Sequence, residues 1–94
     1  MPRQGGGYIR RVPDITVTFT NKYGESRRYG IWDLGRDPNS PPQIFDGYLD
    51  TNQSTDPLGV HSSDFGETRV MYQRSDGAQQ VVDNLSDGGN VSME

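Results

Sequence analysis

Residues 15–20, Ile15-Thr16-Val17-Thr18-Phe19-Thr20, alternate apolar and polar side chains without a break. Successive side chains of an extended chain point to opposite faces, so period two marks a strand with one face turned to a core. The same grammar repeats outward from this stretch. Asn21–Ser26 (NKYGES) supplies a turn, and Arg27–Leu34 (RRYGIWDL) reads as a second strand, with Tyr29 and Ile31 on one side and Trp32 and Leu34 on the other. Bulk on both faces predicts that one of them is covered by another element. Gly30 beside Trp32 predicts a bulge, or a place where an aromatic ring lies over backbone.

Gly35–Pro42 (GRDPNSPP) has three prolines and no periodicity, and reads as the longest loop. A third strand follows at Gln43–Leu49, with Ile44 and Tyr48 on one face and Phe45 and Leu49 on the other. Leu58 and Val60 mark a fourth strand, Arg69–Gln73 a fifth, Gln79–Leu85 a sixth and Val91–Met93 a seventh. The pairs Asp46-Gly47, Asp76-Gly77 and Asp87-Gly88 each predict a tight turn among these runs. About seven short strands and no 3.6-residue apolar period predict an all-β chain folded as a small antiparallel β-sandwich.

At 94 residues the chain has the size of a single domain. Residues 1–13 (MPRQGGGYIRRVP), with three consecutive glycines and two prolines, read as a flexible arm, and residues 14–94 as the sandwich. Leu, Ile, Val and Phe total 18 of 94 residues, just under the roughly 20% at which strongly charged chains fail to fold. The net charge is only -4, and five Tyr and one Trp add apolar area. A folded but marginal domain with disordered ends is expected, steadied by a partner or by self-association.

The chain has no cysteine, which excludes disulfides and thiol chemistry, and this favours a cytoplasmic location. No apolar run approaches a membrane span, and the first residues lack the apolar stretch of a secretory signal. The sequons at Asn52, Asn84 and Asn90 would matter only in a secreted eukaryotic protein. Charge is divided along the chain. Residues 1–28 hold six basic side chains against Asp14 and Glu25, while the remaining 66 hold Arg36, Arg69 and Arg74 against eleven carboxylates. An Arg-rich arm beside an acidic body predicts self-docking before it predicts a foreign anion.

None of the reactive motifs assembles on paper. His61-Ser62-Ser63-Asp64 holds the residue types of a hydrolytic triad, but neighbours on an extended strand diverge, whereas a triad must converge from separate segments. Asp50–Asp56 begins like a calcium loop and then fails, with Thr55 where glycine is needed and His61 where glutamate is needed. Carboxylates near strand ends, Asp33, Asp37, Asp46, Asp64 and Asp87, leave calcium open as a ligand, but no cofactor is expected. Asp33 after Trp32 and Asp46 after Phe45 sit in apolar company that would raise a pKa, as a glycosidase pair needs, yet a sandwich this small offers little room for a substrate cleft. Arg3, Arg10, Arg11 and Tyr8 have the character of a nucleic-acid arm, which an overall pI near 4.8 opposes.

The VTFTN strand, the Trp-Asp strand and the later glycine-punctuated strands resemble, over Ile15–Asn21 and Tyr29–Leu34, the aegerolysin-like small acidic β-sandwich proteins. That resemblance implies a membrane-associating sandwich and assigns no role to any single residue. The residues themselves predict a non-catalytic binding module that recognises a carbohydrate or protein through loops at one end, as a homo-oligomer. Trp32, Tyr29, Tyr48 and Tyr72 are the sizeable aromatic set, expected mainly in the core. Trp32, Arg36 and Tyr48 are the candidate anchors, with Asp46 and Asn52 as polar fringe. A membrane surface or a structural assembly is the alternative partner, and nucleic acid is not expected.

Overall fold

The structure, a computed structural model, describes residues 14–37, 39–62 and 68–94. The arm at residues 1–13, and Ser63 and Asp64 of the His-Ser-Ser-Asp tetrad, lie outside the described residues. Among the described residues seven strands form: β1 (Ile15–Asn21), β2 (Arg27–Asp33), β3 (Gln43–Leu49), β4 (Leu58–Val60), β5 (Arg69–Arg74), β6 (Gln79–Asp83) and β7 (Gly89–Met93). They make two sheets, one of three strands in the order β4-β1-β7 and one of four in the order β3-β2-β5-β6. The fold is the small all-β sandwich that the alternation predicts. Among the described residues there is no helix long and apolar enough to cross a membrane.

Period two decides what is inside. β1 contributes Val17 and Phe19, β2 Tyr29 and Ile31, β3 Leu49, β4 Val60, β5 Val70 and Tyr72, and β7 Val91 and Met93, all buried in one cluster. Where a strand supplies two of them they are spaced by two, as a pleat facing the opposite sheet requires. Phe45, Val82 and Leu85 pack partly buried against this cluster.

Three particulars differ from the sequence expectation. First, β1 and β7 run parallel, with Val17 opposite Gly89 and Asn21 opposite Met93, while the other strand pairs are antiparallel. The chain reaches β7 by crossing from the four-stranded sheet, and a crossover can deliver a strand in the parallel sense. Second, only one Asp-Gly pair makes a hairpin. Gly77, at φ 105°, turns β5 into β6, whereas Asp87-Gly88 turns the chain between sheets and Asp46-Gly47 lies inside β3. There the Phe45 ring sits 3.3 Å from where a Gly47 Cβ would be, so the glycine makes room for a ring. Third, Trp32 and Tyr48 lie on the outer face of the four-stranded sheet. Tyr29 and Tyr72 alone of that aromatic set enter the core, and no further layer covers Trp32 among the described residues.

The interior also holds a polar group that joins the sheets. Asn21, fully buried at the end of β1, donates from Nδ2 to the carbonyls of Leu49 (2.8 Å) and Glu25 (3.0 Å). Its Oδ1 accepts from the Tyr23 backbone N–H (2.7 Å) and from the Tyr29 hydroxyl (2.9 Å). The amide's four hydrogen-bonding positions are thus filled, from a turn and from β2 and β3 of the opposite sheet. A second pin holds the parallel pair together: the Asp87 carboxylate accepts from the Thr16 backbone N–H (2.8 Å) and the Thr16 hydroxyl (3.1 Å). Those donors, the backbone one foremost, hold the Asp87 carboxyl below its ordinary pKa.

Asn21→Leu preserves volume but strands two carbonyls, an N–H and a hydroxyl, and is expected to cost at least about 3 kcal/mol in urea denaturation. Tyr29→Phe removes one of those bonds and is expected to cost about 1 kcal/mol. The Asp87 pair has a pH signature. Its folded pKa lies below the unfolded one, so its stabilisation is present above about pH 4 and is lost as the pH falls through the depressed value. Asp87→Asn should therefore flatten the acid limb of a Tm-against-pH curve, and an unchanged limb would refute the assignment.

Candidate functional site

Arg28, Gly30 and Trp32 alternate with the inward-facing Tyr29, Ile31 and Asp33 and so share the outer face of β2, where Gly30 is itself buried. Gly30 lies opposite Asp46 of β3 on one side and opposite Gln73 of β5 on the other. A shallow open groove of about 270 Å³ on this face is lined by Arg28, Trp32, Gln43, Asp46, Gln73, Arg74 and Ser75, with Gly30 in its floor. The Trp32 ring reaches back along β2 across this glycine: a Cβ at position 30 would lie 2.5 Å from the ring's Cη2 and 2.9 Å from the Gln43 amide nitrogen. The pairing of β2 with β3 also slips between Ile31 and Trp32, which sets Trp32 opposite Gln43. The predicted bulge and the predicted ring over backbone are therefore both present, and together they build one wall of the groove.

The charged groups of the groove are paired. Arg28 holds Asp46 through two bonds of 2.7 Å, Nε to Oδ1 and Nη2 to Oδ2, the fork geometry that guanidinium and carboxylate share. This bond keeps the Asp46 carboxyl below its ordinary pKa and the Arg28 guanidinium above its own. The expectation of a raised Asp46 pKa is thereby corrected, because a cross-strand arginine outweighs the apolar neighbour in sequence. Arg74 donates to Asp76 (2.8 Å), and its guanidinium lies 3.8 Å from the centre of the Tyr23 ring. That side chain is packed against the ring and its charge is balanced.

Of the candidate residues, Trp32 and Asp46 line the groove, and Tyr48, 71% exposed, stands beside it opposite Arg28. Arg36 and Asn52 lie elsewhere. Arg36 follows β2 and pairs with Asp14 (3.0 Å) and the buried Asp33 (3.5 Å). Asn52 sits at φ 69° in the loop after β3, where its backbone N–H donates to the Asn21 carbonyl and its side chain accepts from Lys22. Asp33 and Asp46 do not meet: Asp33 faces inward, accepting from the backbone N–H groups of His61 (2.9 Å) and Arg36 (3.2 Å). The groove lining holds the single carboxylate Asp46. Among the described residues no three His, Asp or Glu side chains converge as metal ligands. In the Asp50–Asp56 loop, Gln53 accepts from the Asp50 N–H and the Thr55 hydroxyl from the Phe19 N–H, so these oxygens brace the loop.

Gln43, Gln73, Arg28 and Arg74 join the site through strand register, which no local pattern reveals. The spacing of Gly30 and Trp32 by two, which places both on one face, was the signal available. What the surface offers chemically is an indole, two amides that each donate and accept, and a carboxylate held ionised by its own arginine.

Gly30→Ala is expected to push the Trp32 ring off the strand, at a cost of about 1–3 kcal/mol. Trp32 is the only tryptophan in the chain, so its emission spectrum reads the groove directly. A Gly30→Ala variant with unaltered emission and stability would contradict the packing described. Comparison with protein-family models, with curated proteins and with solved structures finds no match to this chain.

Proposed function

We propose that this chain is a non-catalytic binding module whose outer sheet face takes an uncharged saccharide. The observation that carries the reading is the open groove in which the Trp32 ring, laid over Gly30, forms one wall and Gln43 and Gln73 join the lining. A pyranose has faces of C–H groups that suit an indole, and a rim of hydroxyls that suits side chains able to donate and accept together. The charge pattern favours a neutral ligand. Arg28 and Arg74 are matched by Asp46 and Asp76, so an anionic sugar would have to break an existing pair to gain one. The pinning of β2 at Asn21 and at Asp33 supports rigid presentation, which keeps the ordering cost of binding low.

A protein partner is the second reading, favoured by Tyr48 at the edge of the same face, since an exposed tyrosine is a common interface anchor. The lipid-surface alternative needs a cluster of exposed aromatics at one rim. Among the described residues the large exposed apolar side chains are Tyr48 on β3 and Val81 on β6, separated by two strands.

Isothermal titration against neutral oligosaccharides, followed by Trp32 fluorescence, tests the proposal. Trp32→Ala is expected to weaken binding at least tenfold, about 1.4 kcal/mol, while Lys22→Ala leaves it unchanged. Absence of saccharide binding by the wild-type chain, or equal affinity in the Trp32 variant, would overturn it.

A further inference from the structure

The four-stranded sheet ends at β6, and among the described residues nothing pairs with the outer edge of that strand. Exposed edges are normally guarded by proline, lysine, a bulge or brevity. β3 has its register slip and an internal glycine, and β4 is three residues long and follows Pro57. On β7 the side chains at the exposed positions are the polar Asn90 and Ser92. β6, Gln79-Gln80-Val81-Val82-Asp83, has none of the guards, pairs with β5 in unbroken register, and carries Val81 at 48% exposure. Within the strand the single charge is Asp83, already paired with Arg69 across the sheet (2.8 Å).

We propose that β6 pairs antiparallel with β6 of a second copy of this chain, about a two-fold axis through Val81. The register follows from the side-chain pattern. Outward residues 79, 81 and 83 must meet outward residues, or one copy would turn its inner face to solvent. Centring on Val81 uses all five residues, places Val81 against itself, and sets each Asp83 opposite a Gln79 amide. Centring on Asp83 would oppose two carboxylates, which is destabilising. The axis stands perpendicular to the sheet, so eight strands become continuous and both grooves face the same side. Five strand spacings separate one β2 from the other, about 24 Å. If the groove binds as proposed above, the pair is bivalent; the pairing itself is independent of what fills the groove.

The absence of native cysteine makes the register directly testable. Sedimentation equilibrium is expected to give twice the 10.5 kDa chain mass, falling to the single-chain mass in Val81→Lys with an unchanged circular dichroism spectrum. Val81→Cys should cross-link to itself rapidly with a short bifunctional thiol reagent, since directly opposed Cβ atoms lie about 5 Å apart. Gln79→Cys alone should not, but should do so when mixed with Asp83→Cys. A wild-type chain that stays monomeric at its highest soluble concentration overturns the proposal. So does a dimer that survives Val81→Lys, or a Gln79→Cys variant that links to itself as fast as Val81→Cys. Loss of avidity for an immobilised neutral saccharide in Val81→Lys, with its solution affinity retained, tests bivalency separately from both the interface and the groove.

Discussion

The side-chain amide of Asn21 ties the two sheets to one another at a fixed register. Apolar packing alone specifies relative sheet position weakly, because a thin core of Val, Leu and Ile tolerates small slides with little loss of buried area. A buried amide is less forgiving. Nδ2 must reach the Leu49 carbonyl on β3 while Oδ1 accepts from Tyr29 on β2, and a slide that breaks either contact leaves polar atoms without water or partner. The register so fixed decides which residues of β2 face inward, and with them which face out. Tyr29 and Ile31 in the core and Gly30 and Trp32 on the outer face are one fact read from two sides.

The far end of β2 has its own polar anchor. Asp33 is fully buried, and its carboxylate draws the backbone N–H groups of His61 and Arg36 onto the strand end, with the Arg36 guanidinium alongside and Asp14 beyond it. A buried carboxylate carries a large desolvation cost, met here by directed donors and a cation. β2 is thereby held at both ends by polar contacts and on both sides by β3 and β5. The groove beside Gly30 thus lies on the middle of a strand braced at both ends and on both sides, a placement that suits recognition by a surface which does not rearrange.

How far the sequence discloses this depends on the range of the interaction. Each of the described strands was legible, because alternation such as Ile15–Thr20 is a local consequence of the pleat. Asn21 was legible only in part: read as the start of a turn, which its bond to the Tyr23 N–H makes it, it gave no sign of Tyr29 or Leu49. Asp46-Gly47 misled for the converse reason, since turn chemistry and a glycine cleared for the Phe45 ring look alike in one dimension. The same holds for the Asp46 carboxyl. Phe45 beside it in sequence predicted an apolar environment, yet Arg28, eighteen residues away, sets its pKa. Trp32 and Asp46, candidates from the sequence alone, both line the groove. Gln43, Gln73 and Arg74 were beyond reach because their membership exists only once β2 lies between β3 and β5.

The same distinction bears on whether loops or a sheet face carry recognition. End loops attract attention because they concentrate polar residues, but polarity matters for binding only where it is not already spent. In the loop after β3 the Asn52 N–H is held by Asn21, the Asn52 side chain takes Lys22, Ser54 meets Thr20, and Thr55 bonds Phe19 through both its hydroxyl and its backbone. That loop behaves as a strap across β1, and a ligand would have to displace structural bonds to use it. On the outer face, by contrast, strand hydrogen bonds satisfy the backbone and leave the side chains to point outward at register positions. The groove's indole and amides therefore stand on a scaffold whose own hydrogen bonds a ligand need not disturb. This is the physical reason to look for function on the sheet face before the loop after β3.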